Sequence, residues 1–556
     1  MKNLFKYTSL VVFACISFVA CETTDLDLRV SPNDLAADQA DPNLLLNSIQ
    51  LAYGSNQAEI SDLGADLTRI DYMFGQIYFN NFPGDTFDDI WGRTYSSDFN
   101  DLGDINVQVG MYTNLNNISA INAGSDIDYS FHEAVGKTLL AHTLFQLADY
   151  IGQAAFSEAL NPVDFPFPNL DSGEDVYAAA FNLLSEAETL FAADPPTQGA
   201  TDLFYDGDTD NWIKLINTLR LRSYFLTGNS SAFQSIVTGG NYITDSDEDF
   251  QIQFGTSELQ PDNRHPDYAD DYTPSGANIY QSNWLMNQMV VKADPRIRYY
   301  FYRQSDGTPG APGVPADEET LSCSLVIPPP HYAGFIYCSV ANGYWGRSHG
   351  NDEGTPPDNF TRTAVGVYPA GGLFDDSSFG EVGLGEGGGG AGIEPIILSS
   401  YVDFWIGAMA TSDAAKATAL RAGIEKSIAK VQGFGSLDSN ADSSFEPSAA
   451  DVSTYVDGII ADFNAATGDD KENVFAEQYW IALYGGATEA YNYYRKTGFP
   501  TTLAPNWEPE PGAFPRTFLL PQNEVITNPN LTQRSDLTTQ VFWDTNPASP
   551  TFPPAN

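Results

Sequence analysis

Basic residues are scarce in this sequence. The 556 residues include 25 Lys and Arg against 73 Asp and Glu, which gives a formal net charge of −48. Nucleic-acid binding needs clustered positive charge to neutralise phosphates, so this balance argues against a nucleic-acid partner. The same imbalance disfavours polyanionic glycans as ligands, and it keeps the protein soluble beside anionic membrane headgroups.

Long apolar runs are also missing. Past the N-terminal segment, no stretch reaches the roughly 20 apolar residues that a membrane-spanning helix needs. The chain begins with Lys2 and Lys6, continues with a short uncharged apolar run over 10–20, and then reaches Cys21. A basic start, a short apolar core and a small residue before the cleavage point are typical of a secretory signal.

The end of this signal predicts how the protein is held at a membrane. Phe18-Val19-Ala20-Cys21 resembles the lipobox of bacterial lipoproteins, in which the cysteine is acylated. We therefore predict a signal peptide over 1–20 and a mature chain over 21–556, anchored by lipid on Cys21. The alternative is a secreted protein whose Cys21 pairs elsewhere.

Cysteine and histidine are rare beyond this point. Only Cys323 and Cys338 remain, and in an exported chain such a pair is expected to form a disulfide. Two free thiols are the alternative. The five histidines include no H-x-x-x-H pair, so we predict no zinc hydrolase, no metal site and no cofactor.

Amphipathic patterns predict helices that pair as antiparallel hairpins. The segment 127–152 is apolar on two sides, as in a helix buried between neighbours. A second helix follows Ser172, which is placed to cap it. A third is predicted from Asp210, as its cap, to Gly228, which is placed to stop it.

The same amphipathic helical pattern returns near the C-terminus, at 394–432, 451–466 and 472–495. We therefore predict a helical scaffold over about 40–238 and 394–556. The intervening segment, 239–393, is rich in Gly, Pro, Tyr and Asp and has few helical stripes. Because loops on a rigid scaffold usually carry function, this insert is the favoured place for a site.

Several short motifs occur in a characteristic order along the chain. They are Leu144-Phe145-Gln146-Leu147-Ala148-Asp149-Tyr150-Ile151-Gly152, Phe156-Ser157-Glu158-Ala159, Tyr205-Asp206-Gly207-Asp208, Asn217-Thr218-Leu219-Arg220-Leu221-Arg222, Asp294-Pro295-Arg296, Gly366-Val367-Tyr368-Pro369, Gln478-Tyr479-Trp480 and Tyr494-Arg495-Lys496-Thr497-Gly498-Phe499-Pro500. In this order and together with the lipobox, they resemble the SusD/RagB superfamily of nutrient-binding outer-membrane lipoproteins. The family usually has a doubled Arg where Arg495-Lys496 stands.

This resemblance implies a fold, a function and a partner. The fold is mostly α, with tetratricopeptide-like helical hairpins as a scaffold and a loop-rich irregular lobe built on it. The function is capture of an oligomeric nutrient, an oligosaccharide or a peptide, at the outside of the outer membrane. The partner is a SusC-like, TonB-dependent transporter, to which the ligand is delivered without chemistry.

An enzyme is the main alternative function. Gly346-Arg347-Ser348-His349-Gly350 matches the G-x-S-x-G nucleophile elbow of hydrolases, which must lie between a strand and a helix. The residues that follow, Asn351 to Pro357, include two prolines and no helical stripe. A lipid-anchored surface hydrolase therefore stays the second hypothesis, and a structural lipoprotein without a small-ligand site is the third.

Aromatic side chains outside the helical stripes are the candidate ligand contacts. Flat apolar faces stack on sugar rings or peptide side chains, and a few polar groups fix the orientation of the ligand. Two clusters qualify, and from them we predict ligand binding by Tyr78, Phe82, Tyr344, Trp345 and Arg347. Trp212 and Trp480 lie on helical stripes and are predicted to belong to the scaffold.

Overall fold

Helices dominate the computed structural model of the protein, which describes residues 40–75, 77–96, 109–259, 261–307, 327–337, 340–352 and 358–554. The predicted signal peptide, Cys21, Cys323 and Cys338 lie outside these residues. The helices of the described chain are α1 (Pro42–Thr68), α2 (Tyr78–Asn81), α3 (Asp88–Tyr95), α4 (Met111–Gly124), α5 (Ser130–Tyr150), α6 (Gly173–Phe191), α7 (Thr209–Thr227), α8 (Ser230–Gly239), α9 (Pro266–Asp271), α10 (Asn283–Lys292), α11 (Ile297–Tyr300), α12 (Ser399–Ala408), α13 (Asp413–Gln432), α14 (Ala449–Ala465), α15 (Asp469–Ala482), α16 (Thr488–Thr497) and α17 (Gln522–Thr527). The prediction of a mostly helical fold is confirmed.

Successive helices of the first block pack against one another. Helix α5 packs on α6, α6 on α7 and α7 on α8. The Ser172 side chain accepts from the Asp175 N–H and caps α6, as predicted. The predicted cap of α7 was wrong, because the Asp208 carboxylate, not that of Asp210, accepts the first free N–H groups of that helix. Gly228 ends α7 at φ 70°, as predicted.

The C-terminal helices form a second block. Helix α12 packs on α13, and α13 packs on both α14 and α15. Helix α16 then returns to pack against α1. The approach is close enough that a Cβ on Gly64 of α1 would stand 2.5 Å from the Ala487 carbonyl oxygen, so glycine is required there.

Buried ion pairs join helices that are distant in sequence. Arg222 of α7 contacts Asp149 of α5 and Glu489 of α16, each at 2.7 Å. The Asp149 carboxylate also accepts from Tyr177 and from the Trp543 indole. Because an uncompensated buried charge is strongly unfavourable, this network requires the three helices to be in place together.

The segment between the two blocks has short strands and short helices. Strand β3 (Phe250–Gln253) pairs antiparallel with β6 (Ile393–Ile397), and β4 (Phe301–Tyr302) pairs with β5 (Ala364–Val365). A third pair, β1 (Gln153–Ala154) with β2 (Asp171–Ser172), precedes α6.

Arg296 connects this segment to the C-terminal block. It pairs with Asp294 at 2.6 Å and donates to Ser427 of α13 and Gln478 of α15. None of the helices in the described part of the chain combines the length and apolar character needed to cross a membrane.

Candidate functional site

A cavity of about 790 Å³ opens where the helical scaffold meets the central segment. Its walls come from 62–74 at the end of α1, from 267–281, from Arg347 and 359–369, and from 484–485. The first and last belong to the scaffold, and the others belong to the insert. The volume lies within the range of small-ligand pockets, about 300 to 1,000 Å³.

One wall is acidic. Asp62 and Asp66 stand four residues apart on α1 and therefore share a face of that helix. The helix ends at Thr68 because Arg69 adopts a left-handed conformation with φ 64°. This turn leads directly to Asp71, and Asp267 joins the wall from the first turn of α9.

The position of these acids is unfavourable for the helix. Like charges at i and i+4 repel each other, and a carboxylate near a helix C-terminus opposes the macrodipole. Helix α1 has no basic residue in its last turn, and the cation just beyond it, Arg69, donates to the Leu67 carbonyl. A local stability role therefore does not explain why the acids are there.

The electrostatics of the wall reflect this crowding. Loss of solvation among the surrounding atoms, followed by the Asp267 and Asp71 charges, raises the pKa of Asp62 to about 8, although the residue is exposed to the cavity. Loss of solvation and Asp267 raise the pKa of Asp71 to about 7. Burial, reinforced by Asp71 and Asp62, raises the pKa of Asp66 well above its usual value.

The other wall holds cations and aromatic rings. The guanidinium carbons of Arg347 and Arg362 lie 4.3 and 3.8 Å from the centroid of the Tyr280 ring. The Tyr280 hydroxyl donates to Asp358, which also pairs with Arg362. Tyr72 meets Tyr280 edge-on, with the ring centroids 5.8 Å apart. The cations of this wall are therefore already packed on Tyr280.

Arg347 is positioned by the backbone beside it. Its N–H donates to the Gln281 carbonyl at 2.9 Å, and its carbonyl accepts from the Asn283 N–H at 3.0 Å. Gly346 makes this approach possible, because a Cβ there would stand 2.1 Å from the Gln281 carbonyl oxygen.

Polar and apolar groups without a full set of partners also line the cavity. Gln281 is buried, and its Oε1 accepts from the Tyr484 hydroxyl at 3.1 Å. Its Nε2 has no hydrogen-bond partner among the residues described. Phe74 lines the same cavity and is 58% exposed. These groups offer a ligand one buried donor and one flat apolar face.

Of the five predicted ligand contacts, one lines the cavity and four do not. Arg347 lines the cavity, whereas the side chains of Tyr78, Phe82, Tyr344 and Trp345 are buried and lie outside its lining. The Trp345 indole donates to the Gly307 carbonyl at 2.8 Å, and the Phe82 ring packs edge-on against Phe518 at 5.2 Å. Ligand contact by these four aromatics stays a prediction, and the site proposed below does not include them.

Tyr78 and Tyr344 make contacts within the protein. The Tyr78 hydroxyl is bonded to Arg69 and lies 3.3 Å from the His349 Nε2. The Arg303 guanidinium lies 5.0 Å from the Tyr344 ring centroid. These are packing and hydrogen-bonding roles within the core.

Sequence reasoning missed most of the cavity wall. Asp62, Asp66, Asp71, Asp267 and Tyr280 were not among the predicted site residues. The one available signal was the pair Asp62 and Asp66, repelling acids in the last turns of a helix that has no Lys or Arg. Nothing in the sequence placed Asp267 beside them.

The hydrolase motif has a different setting from a nucleophile elbow. Ser348 is buried, follows a single bridge residue, Arg347, and precedes a turn at 349–350. A nucleophile elbow instead joins a strand to a helix and exposes its serine. Within the part of the chain that the structure describes, no group of three or more His, Cys, Asp or Glu is arranged to hold a metal ion.

Solved structures share the fold of this chain. A SusD/RagB family protein from Bacteroides thetaiotaomicron VPI-5482 is 14% identical, with a TM-score of 0.60 over 91% of this chain and 100% of its own. A chitin-binding protein is 20% identical, with a TM-score of 0.60 over 91% and 100%. A chitin-binding SusD homolog from Flavobacterium johnsoniae is 17% identical, with a TM-score of 0.57 over 91% and 99%.

No curated protein matches the chain. A family model does: SusD-like_2, described as "Starch-binding associating with outer membrane", matches residues 37–320, just over half of the sequence. The ordered motifs, the helical scaffold and this match agree, and the chain belongs to the SusD-like family.

Proposed function

We propose that the protein is a surface lipoprotein that binds an oligosaccharide and delivers it to a TonB-dependent outer-membrane transporter. The observation that carries the proposal is the cavity at the junction of scaffold and insert, with the exposed Phe74 at one wall and buried polar groups at the others. The lipid on Cys21 is the proposed anchor.

The chemistry of the cavity suits a sugar. A sugar ring has an apolar face that stacks on an aromatic ring and a rim of hydroxyls that both donate and accept hydrogen bonds. Phe74 supplies an accessible ring, and Tyr72 lies beside it in the same lining. Arg347, Asn278 and Asn359 supply donors, and the carboxylates supply acceptors.

The comparisons support the nature of the ligand. The family description names starch, and two structural relatives are described as chitin-binding. Both are neutral polymers of sugars, in keeping with an acidic protein that repels polyanions. The association with the outer membrane in the family description supports delivery to a transporter there.

A hydrolase acting on the same polymers is the second candidate. The observation in its favour is the raised pKa of Asp62 and Asp71, because glycosidases use one carboxyl group held in its protonated form. The binding function is preferred because the carboxylates form a wall of four groups and not an isolated acid and base flanking one bond.

Isothermal titration of the mature protein in detergent against neutral oligosaccharides tests the proposal. Phe74→Ala is expected to weaken binding by about 1 to 3 kcal/mol, the scale of a lost aromatic contact. Phe445→Ala is the matched control, since Phe445 is 39% exposed and lies outside the cavity lining. Equal loss in both variants, or no binding of any oligosaccharide by the parent, whether neutral or amine-bearing, contradicts the proposal.

Product analysis of the same mixtures separates the two candidates. The binding function predicts intact oligosaccharide after prolonged incubation. Release of shorter products by the parent, abolished in Asp62→Asn, would instead establish the hydrolase.

A further inference from the structure

We infer that the oligosaccharide taken up by this cavity carries positively charged amino groups, which bind the acidic wall formed by Asp62, Asp66, Asp71 and Asp267. This rests on the proposed function, since it names the class of sugar that the same site accepts. The ligand class is a glycan with free amines, such as an oligomer of glucosamine that has lost its acetyl groups.

The acidic wall lacks a cationic partner in the described part of the chain. None of the four carboxylates forms an ion pair with any residue in the described ranges, although ion pairs are frequent elsewhere in the structure. The two cations that line the cavity, Arg347 and Arg362, are both packed on Tyr280, and Arg362 is paired with Asp358. Any negative charge on the wall is therefore not offset by an ion pair within the described residues.

The carboxyl groups of the wall are crowded together. In addition to burial, the Asp267 carboxylate contributes to the raised pKa of Asp62 and Asp71, and also to that of the buried Glu394. A cation placed there relieves every one of these repulsions at once, whereas a neutral ligand relieves none.

The buried amide of Gln281 points to a ligand independently of charge. Gln281 lines the cavity, is buried, and has an Nε2 group that lacks a partner in the described structure. An unpaired buried donor is unfavourable until an acceptor reaches it. A sugar hydroxyl or ring oxygen is such an acceptor. The cavity therefore favours a ligand that bears both amines and oxygen acceptors.

The arrangement favours an amino sugar over a lysine-rich peptide. Phe74 offers a flat exposed face, and the amide side chains of Asn278, Asn359 and Gln281 line the same space. This combination matches a ring with hydroxyls at its edge. A peptide would need its backbone groups satisfied as well, for which the lining amides are few.

The experiment compares two oligomers of equal length, one of glucosamine and one of N-acetylglucosamine. Isothermal titration of the mature protein in detergent, near neutral pH where both the amines and the carboxyl groups of the wall can carry charge, is expected to give about tenfold tighter binding of the glucosamine oligomer. Because the preference is electrostatic, it should shrink as salt is added.

Single substitutions test whether the preference for the glucosamine oligomer arises at the acidic wall. Asp71→Asn and Asp267→Asn should each weaken binding of the glucosamine oligomer by about five- to tenfold while leaving the acetylated oligomer unchanged. Asp247→Asn is the matched control, because Asp247 is exposed and lies outside the cavity lining, yet its substitution removes the same net charge. A thermal melt of each variant confirms that it is folded.

The outcomes separate this inference from the proposed function. Equal affinity for the two oligomers, lost in Phe74→Ala, overturns the inference and leaves the oligosaccharide-binding function standing. Absence of binding to both oligomers and to all neutral oligosaccharides overturns both. Tighter binding of an oligolysine peptide than of the glucosamine oligomer also overturns the inference.

Discussion

Arg222 Nη1 lies 2.7 Å from Asp149 Oδ2, and neither side chain has any contact with solvent. The two residues belong to the motifs at 144–152 and 217–222 that carry the family resemblance. Their partner Glu489 lies on α16, so the contact joins an early helical hairpin to the C-terminal block. These motif positions therefore hold the scaffold together.

Arg222→Met is expected to destabilise the protein by about 3 to 5 kcal/mol, because it leaves the Asp149 and Glu489 carboxylates buried without a cation. Chemical denaturation followed by circular dichroism measures the change. Arg421→Met is the control, since Arg421 pairs with the exposed Asp457 and its loss should be less than about 1 kcal/mol. Similar losses in the two variants would show that the buried network is not required.

Trp345→Ala and Phe74→Ala should differ in stability. Trp345 is 2% exposed, so its truncation is expected to lower the free energy of unfolding by about 3 to 5 kcal/mol. Phe74 is 58% exposed, and its truncation should stay within about 0.5 kcal/mol of the parent. Denaturation midpoints measure both. A stable Trp345→Ala variant that loses ligand binding would instead restore Trp345 as a direct contact.

The melting temperature should depend on pH through Asp71. Its pKa is raised from 3.8 to about 7, so the folded state binds this proton more tightly than the unfolded chain. The stability from this group is complete below the unfolded pKa and is lost as pH rises through the folded pKa.

Scanning calorimetry from about pH 5 to about pH 8 should therefore show a steeper fall for the parent than for Asp71→Asn, which has no proton to lose. The Asp247→Asn variant should follow the parent. If the curves of all three proteins are parallel, the pKa of Asp71 is not raised in the folded state.

Cys21→Ser is expected to release the protein from the membrane fraction without unfolding it, because the predicted lipid is the proposed attachment. Fractionation in cells that lack the transporter measures the change, since a bound transporter would retain the protein independently. Continued recovery of the variant with the membranes contradicts the prediction.

Mass spectrometry of a non-reduced digest tests the predicted disulfide between Cys323 and Cys338. A linked peptide pair is expected, which reduction should separate. Alkylation of both thiols in the protein before any reduction would show that they are free.

The sequence was sufficient for the scaffold because helical periodicity is local. The stripes that predicted a helix over 127–152 correspond to α5, and Trp212 and Trp480 are fully buried as predicted. The cap of α7 was misplaced by two residues, since Asp208 and Asp210 are equally good caps and only the backbone decides between them.

The cavity could not be predicted in the same way. Asp66 and Asp267 are 201 residues apart, and no periodic pattern relates the end of one helix to a short helix in the insert. Arg347 was identified through its aromatic neighbours, yet those neighbours are in the core. In an irregular segment the sequence does not reveal which side chains face inward, because there is no repeat from which to read a face.

The division of the cavity wall between scaffold and insert has a consequence for how such proteins diversify. Asp62 and Asp66 belong to a helix that the core needs, whereas Asp267, Tyr280 and Arg347 lie on insert segments distinct from the Arg222 network. Substitutions in the insert therefore alter the shape and charge of the cavity without removing the buried ion pairs that join the helices.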